Sequence, residues 1–375
     1  MRRIKIIIAF IISLSFLILT TACNNNGLFG GSNTPLPTSI VSTQPLESGL
    51  PTQPTTSPQV QTVQTDKVSE YLPFAKDVYM KYKGTGNEFA AYNTYVQFAK
   101  ADLMQIRKDN GGTVSVIVYQ LIDGAIIKVF TQGETYYHYD YTSSRNDDEI
   151  ILKEPIEVGT SWKLKDGSVR SITSVNKQIK TPAGDYNALE ITTKRKDTTE
   201  RDYYAKSIGL VKSEFLNNLD NNGSASITSE LEKVEKNVPF KQTVKIYFPQ
   251  FSTDKVVSMD REVQINSNED MKFKFQKEFK TIPSGSNLTK VLSTNVKILS
   301  IKVDDKAGIV TVDFSSDLIT GMNAGTTLEL LIIKSITNTF GNYFQKDKVI
   351  ITLEGKPYES GHILMEKGEY FTVTE

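Results

Sequence analysis

Two residue types that often carry chemistry are scarce in this chain of 375 residues, which has one cysteine and two histidines. The single cysteine, Cys23, excludes an intrachain disulfide framework and a zinc site built from several cysteines. An excess of charge is missing as well, because 43 Lys+Arg residues face 43 Asp+Glu residues. A nucleic-acid-binding domain needs a basic surface, and electrostatic attachment to lipid needs a polybasic run. The sequence therefore predicts no nucleic-acid partner.

The signatures of common enzymes are absent too. The chain has no Gly-x-Ser-x-Gly elbow and no phosphate loop that ends in Gly-Lys-Ser/Thr. His138 and His362 lie far apart, and a lone histidine in a strand is far more often a surface or core residue than a ligand. Residues 218–223 resemble a calcium loop, but Ser229 stands where a bidentate Glu is needed, so a hairpin turn is favoured. Paired carboxylates stay undecided, because their spacing is spatial. We predict no enzyme and no catalytic, metal or cofactor site.

The longest apolar run lies at the N-terminus. A head with three basic residues precedes the apolar stretch from Ile6 to Leu19, and the chain turns polar directly after Cys23. This order is typical of an export signal. The four residues that end at Cys23 resemble the lipobox of bacterial lipoproteins, although Thr20 stands where that motif usually has Leu. The resemblance implies cleavage after residue 22 and a lipid such as palmitate on Cys23. An uncleaved membrane anchor and a free secreted protein are the alternatives.

Composition divides the remainder of the chain. Residues 23–65 hold six of the thirteen prolines among Ser, Thr, Gln and Gly, with Glu47 as the only charge. Such a segment buries too little apolar surface to fold, so we predict a disordered tether between a signal peptide at 1–22 and the folded part. Apolar and aromatic residues return after it. We predict an all-β domain over 66–238 and a second domain over 239–375, which gives an α+β fold class.

Short alternating segments separated by tight turns fill residues 71–235. Asn110-Gly111-Gly112 and Asp123-Gly124 are hairpin signals between such segments. Strands that recur every 8 to 12 residues predict an antiparallel sheet, either a meander or a half-barrel. The domain resembles a β-rich module of lipoproteins from spore-forming Gram-positive bacteria. The residues that carry this resemblance are Gly86-Asn87-Glu88, Asn110–Thr113, Thr181–Gly184 and Tyr203–Lys212.

The last domain shows both periodicities. Strands are predicted at 244–248, 296–303, 309–314 and 349–353, with a helix at 268–280. Thr326 and Glu329 have the spacing of a capping box, so they predict a mostly buried helix that runs to about Phe340 and ends at Gly341. The predicted order β-α-β-β-α-β describes a small α/β sandwich with helices over one face of a sheet.

This ordered set resembles the GerMN domain of sporulation and spore-germination proteins over residues 241–373. The segments that carry the resemblance are Val244–Phe248, Asp260–Val263, Ile309–Ser315, Ser335–Phe340 and Val349–Pro357. One departure is the Phe-rich run that ends at Pro283, where the family usually has a Leu-rich helix. The resemblance implies a role in spore formation or germination. It also implies envelope or sporulation proteins as partners and a possible homo-oligomer or ring.

Four tyrosines, Tyr136, Tyr137, Tyr139 and Tyr141, form an aromatic run. They favour core packing, with a sugar-binding face as the alternative. We therefore predict a non-enzymatic lipoprotein, anchored through Cys23 on the extracytoplasmic face of the cell membrane. Its domains would act as protein-binding or assembly modules in sporulation, germination or envelope function. A lipoprotein that binds cell-wall glycan, with peptidoglycan as a partner, is the alternative. A wall hydrolase is the third and least supported reading.

Overall fold

A computed structural model describes residues 66–217 and 227–374. The predictions for the signal peptide, Cys23, the tether and the turn at 218–223 lie outside the described residues. Residues Thr62–Glu375 form one compact unit. Within the described part of this unit, no helix is long and apolar enough to cross a membrane.

A twelve-stranded antiparallel sheet takes up the first part of the described chain. Its order, β6-β5-β4-β3-β2-β1-β12-β11-β10-β9-β8-β7, consists of two six-stranded meanders that are joined where β1 pairs with β12. The strands are β1 Val78–Thr85, β2 Tyr92–Ala99, β3 Leu103–Asp109, β4 Val114–Ile122, β5 Ala125–Gln132, β6 Glu149–Lys153, β7 Ser161–Lys163, β8 Val169–Thr181, β9 Gly184–Lys194, β10 Thr198–Ala205, β11 Gly209–Asn217 and β12 Ile227–Lys236. The predicted all-β antiparallel architecture is confirmed.

The two end strands of this sheet approach each other. Ile150 on β6 accepts hydrogen bonds through its carbonyl from Trp162 Nε1 on β7 at 3.1 Å and from Arg170 Nη1 on β8 at 2.8 Å. Arg170 Nη2 also pairs with Glu149 at 2.7 Å. Side chains therefore bridge the edges that backbone pairing leaves open, and the sheet curls around an interior like a barrel.

Turn chemistry explains why the hairpins fall where the sequence predicts them. Asp123 and Gly124 both have positive φ, at 47° and 70°, which a two-residue hairpin loop requires between β4 and β5. In the β3–β4 loop, Asn110 Oδ1 accepts hydrogen bonds from the backbone N–H groups of Gly112 at 3.0 Å and Thr113 at 2.8 Å. Both turns are decided by residues within the turn, so a local pattern is sufficient to find them.

Three local features of this part differ from the pattern. A short helix, α1 Val68–Tyr71, precedes the sheet. The tyrosine run at 136–141 is irregular chain rather than a strand. The acidic composition of residues 146–149 predicts a solvated loop, but the run ends in β6, where Glu149 forms ion pairs with Lys128 and Arg170.

The second part of the chain builds two smaller sheets. β13 Phe240–Gln250 and β14 Lys255–Ile265 form a two-stranded ribbon. A five-stranded sheet contains β15 Ile298–Asp304, β16 Ile309–Phe314, β17 Lys348–Leu353, β18 Lys356–Pro357 and β19 Phe371–Thr372, with β16 and β17 parallel. The helices are α2 Met271–Phe279, α3 Asp317–Met322 and α4 Thr326–Phe344. The predicted helix-and-sheet class is confirmed, and β14, α3, β18 and β19 are added to the predicted order.

The predicted capping box of α4 is wrong. The N-cap is Gly325, and no side chain caps the helix; Glu329 is instead buried and bonded to residues of a later segment. The helix also continues past Gly341 to Phe344 and ends with Gln345 at a φ of 56°. Gly341 is needed for close approach, since a Cβ there would lie 2.1 Å from Val373 Cγ2 and 2.7 Å from the Lys346 carbonyl oxygen.

One hydrophobic core joins the two parts. It contains Val116, Phe130 and Tyr141 of the first part together with Phe275 and Phe344 of the second. A separate core fills the interior of the large sheet around Leu152, Ile172 and Leu189. The large sheet thus ends near residue 238 and the smaller sheets follow, but one hydrophobic core includes side chains from both sides of this boundary.

Candidate functional sites: a barrel cavity and three polar clusters

The structure leaves the single predicted site residue, Cys23, outside the described residues. Over 66–217 and 227–374 no group of three or more His, Cys, Asp or Glu side chains is arranged to hold a metal ion. The two histidines contact different partners. Three of the polar clusters that the fold assembles contain a tyrosine or histidine side chain with a buried or charged partner, and they are described first, followed by a cavity within the large sheet.

The tyrosine run forms the first cluster, between the two parts of the chain. Tyr137 and Tyr141 are buried, and their hydroxyls lie 3.0 Å apart. Tyr137 donates to Asp305 Oδ1 at 2.8 Å and Tyr141 to Asp305 Oδ2 at 3.0 Å, so both reach the β15–β16 turn of the second part. Only Tyr136 is an exposed member of the run. Tyr137 and Tyr141 therefore pack in the core, as favoured by the sequence, whereas Tyr139 is half-buried.

Asp305 is the acceptor at the centre of this tyrosine cluster. Gln132 Nε2 donates to its Oδ2 at 3.0 Å, and Lys346 Nζ lies 2.9 Å from its Oδ1. Burial alone would raise the pKa of Asp305, but the hydrogen bonds from Lys346, Gln132 and Tyr137 outweigh it and hold the pKa below the ordinary value. Asp305 is therefore an ionised acceptor that ties the two parts together.

His138 is the centre of the second cluster. Its backbone N–H donates to the Tyr343 hydroxyl at 2.9 Å, and its Nε2 lies 2.9 Å from the Glu269 carbonyl oxygen. Its Nδ1 is buried with no hydrogen-bond partner among the described atoms. Desolvation lowers the pKa of His138 to about 4, so the ring is neutral near pH 7. A neutral ring that donates through Nε2 leaves Nδ1 as a bare acceptor.

Glu329 is the centre of the third cluster, on the first turn of α4. Tyr358 donates its hydroxyl to Glu329 Oε1 at 2.7 Å, and His362 Nδ1 lies 2.6 Å from Oε2. Burial would raise the pKa of Glu329, but hydrogen bonds from Ser360, His362 and Tyr358 lower it below the ordinary value. The Glu329 carboxylate thus pins the segment after β17 to the start of α4.

The fourth feature is a cavity of about 290 Å³ inside the curled sheet. Apolar and aromatic side chains line most of it, including Ile106 and Ile117 from neighbouring strands and Leu72 from the segment after α1. Tyr82 and Tyr92 form a stacked pair on its wall, with ring centroids 4.3 Å apart. A volume near 300 Å³ with mostly apolar walls is at the small end of ligand sites.

Lys108 is a half-buried charged side chain against this aromatic wall, and Glu70 and Lys236 also line the cavity. The Lys108 Nζ lies 3.8 Å from the centroid of the Tyr92 ring, a cation–π contact. Within the described residues, no carboxylate oxygen lies within 4.0 Å of it. Burial lowers the pKa of Lys108, opposed by the charge of Asp202. Asp202, two residues before Tyr204 of the wall, accepts from Ser213 Oγ at 2.6 Å, and desolvation raises its pKa.

This cavity is not predicted from the sequence, although the pattern of β3 contains one signal for Lys108. Met104, Ile106 and Lys108 alternate along β3 and all line the cavity, so Lys108 continues an apolar face. A cation at such a position is informative, because inward positions of a half-buried strand are normally apolar. Asp202 had no comparable signal, because the pattern of β10 does not show which of its faces is enclosed.

Comparison with known proteins assigns the second part of the chain. Residues 245–359 match the family named Germane, described as sporulation and spore germination. This match falls within residues 241–373, the part of the chain whose sequence resembles GerMN domains. A comparison with curated proteins gives no match.

Three solved structures are similar to parts of the chain. The tandem GerMN domains of the sporulation protein GerM from Bacillus subtilis are 22% identical over 37% of this chain, with a TM-score of 0.28; the match spans 48% of that structure, about half its length. A candidate exported protein from Bacteroides fragilis, which has a YmcC-like fold, is 14% identical over 44% of this chain and 98% of its own, with a TM-score of 0.25. A candidate lipoprotein from Clostridium perfringens is 15% identical over 36% of this chain and 88% of its own, with a TM-score of 0.24.

Proposed function

We propose that this protein is a non-enzymatic lipoprotein, held on the extracytoplasmic face of the cell membrane, whose folded part binds other proteins in spore formation or germination. The Germane match over residues 245–359 carries the proposal, because the family is described by sporulation and spore germination. The export signal and the lipobox-like residues before Cys23 support the anchor.

The roles of the polar clusters agree with a binding or assembly protein. Asp305 and Glu329 each bind partners with both carboxylate oxygens, and these partners come from distant segments. Because both oxygens of each carboxylate are bonded to side chains of the protein, these two residues stabilise the fold rather than face a substrate. The Germane domain also exposes apolar side chains, among them Phe273 on α2 and Leu330 on α4. Single exposed apolar residues are common, so we use these two as probe positions and not as an argument.

The anchor is tested by labelling cells with a clickable fatty acid. The wild-type chain should carry the label and fractionate with membranes, whereas Cys23→Ser should lose both. Label that persists on the Cys23→Ser variant would show that Cys23 is not the acylated residue.

The binding role is tested by photo-crosslinking in native membranes. A crosslinker placed at Phe273 or Leu330 of the Germane domain should capture discrete partners, either envelope proteins or a second copy of this chain. The matched control places the crosslinker at Val158, an exposed apolar residue of the β6–β7 loop. Equal patterns from all three positions, or none from any, would contradict a specific role for the Germane surface. Retention on purified peptidoglycan would favour the glycan-binding alternative.

A further inference from the structure

The cavity in the large sheet combines two properties that rarely occur together without a ligand. Its walls are mostly apolar, and Lys108 projects a cation into it. Lys108 is half-buried, so its ammonium loses part of its hydration, which a charge or a hydrogen-bond acceptor normally compensates. The Tyr92 ring supplies part of this compensation, since its centroid lies 3.8 Å from Lys108 Nζ. Over the described residues, no carboxylate reaches ion-pair distance.

Asp202 is the acid whose charge acts on Lys108, yet it does not pair with it. Asp202 is bonded to Ser213 on the neighbouring strand at 2.6 Å. Desolvation disfavours its charged form. The interior therefore holds a lysine whose best partner, an anion in direct contact, is supplied neither by Asp202 nor by another described carboxylate.

We propose that this cavity binds a small amphiphilic anion, with its acidic headgroup on Lys108 and its alkyl chain along the apolar wall. The volume of about 290 Å³ corresponds to roughly ten water molecules in the liquid, which is room for a short acyl chain. Tyr82, Ile106 and Ile117 would contact the chain, and Tyr92 would flank the headgroup. This site lies outside the matched Germane residues, 245–359, so it is a function beyond the proposed one.

Binding is measured by titration calorimetry on the compact unit that begins at Thr62. Decanoate should bind saturably, with one molecule per chain, below the concentration at which it forms micelles. Decyl alcohol, with the same chain and no charge, should bind about tenfold more weakly, the effect of one lost charge-assisted hydrogen bond. Decyltrimethylammonium should not bind. Dihexanoyl phosphatidylglycerol distinguishes the source of the anion, since binding of this lipid but not of decanoate would assign the site to phospholipid.

Variants separate this site from nonspecific uptake. Lys108→Met should weaken decanoate binding about tenfold and leave decyl alcohol binding unchanged. Lys83→Met, at an exposed lysine on β1, is the matched control and should change neither. Thr94→Phe fills the cavity and should abolish binding of both compounds without lowering Tm. Asp202→Asn removes the competing negative charge and should strengthen decanoate binding.

Two results would overturn the proposal. One is the absence of saturable binding for both decanoate and dihexanoyl phosphatidylglycerol. The other is equal affinity of the Lys108→Met variant and the wild type for decanoate while both are folded, as judged by circular dichroism and Tm. Neither result bears on the Germane domain, so failure here and failure of the proposed function are distinguishable.

Discussion

Replacing Asp305 with alanine should loosen the connection between the large sheet and the Germane domain. The carboxylate accepts hydrogen bonds from Tyr137, Tyr141 and Gln132 of the first part and pairs with Lys346 of the second. The variant removes all four interactions at once. It leaves two buried hydroxyls and a largely buried lysine whose side chain is 15% exposed.

The magnitude follows from these contacts. A hydrogen bond to a charged group contributes about 1.5–3 kcal/mol, but the four contacts do not add. The hydroxyls of Tyr137 and Tyr141 keep each other as partners at 3.0 Å, and Gln132 is accessible to water. We therefore expect a loss of about 3 kcal/mol, the upper end of the range for one hydrogen bond to a charged group, because Asp305 itself is partly exposed. In a unit of this size, that loss lowers Tm by roughly 5 °C.

Chemical denaturation, followed by circular dichroism and by the fluorescence of Trp162, measures this loss. The control is Asp197→Ala, at an exposed aspartate of the β9–β10 turn, which should shift Tm by less than about 1 °C. Tyr141→Phe combined with Asp305→Ala should cost less than the sum of the two single variants. Because the pKa of folded Asp305 is lowered, its stabilisation should be complete above the unfolded pKa near 4 and vanish as pH falls through the folded pKa. Additive costs, or an Asp305→Ala loss equal to that of the control, would refute the role of Asp305 as a tie.

Three further predictions concern other buried groups. Burial lowers the pKa of His138 to about 4, whereas a histidine in the unfolded chain has a pKa of about 6.5. As the pH falls, the unfolded chain therefore binds a proton before the folded chain does, and the free energy of unfolding should decrease by about 3 kcal/mol between pH 6.5 and pH 4. His138→Gln should flatten this part of the pH profile of unfolding. Gly341→Ala should cost about 1–3 kcal/mol, since the new Cβ would lie 2.1 Å from Val373 Cγ2, and Val373→Ala should recover part of the lost Tm. Glu329→Gln should cost about 2 kcal/mol, because the Tyr358 hydroxyl then donates to a neutral amide oxygen and an amide NH2 replaces the carboxylate oxygen that faces His362. Thermal unfolding measures this cost, and a cost no larger than that of an exposed Glu→Gln change would contradict the role of Glu329.

The sequence predicts this fold well wherever the deciding interactions are local. The turn at Asp123-Gly124 depends on two residues that tolerate positive φ, and the alternation of β3 and β4 depends on which side chains face the interior. These signals are complete within a few residues, so hairpin pairings such as β4 with β5 follow from them, whereas the pairing of β1 with β12 does not.

Features that depend on contacts between residues far apart in the sequence are not predicted by local patterns. Thr326 and Glu329 have the spacing of a capping box, but Tyr358 and His362 bind the carboxylate and draw it into the core. The tyrosine run alternates like a strand, but its hydroxyls meet Asp305 about 165 residues later in the chain. Alternation identifies the inward face of β3 but cannot tell whether that face meets another side chain or an open cavity.

The central claim is that the protein acts, as a lipoprotein, in spore formation or germination. Its most direct test counts heat-resistant colonies from sporulated cultures of the source organism, because such a colony requires both spore formation and germination. A strain that lacks the gene should give at least tenfold fewer colonies than the wild type. The intact gene should restore the count, and the Cys23→Ser version should not. Equal counts with and without the gene would contradict the claim.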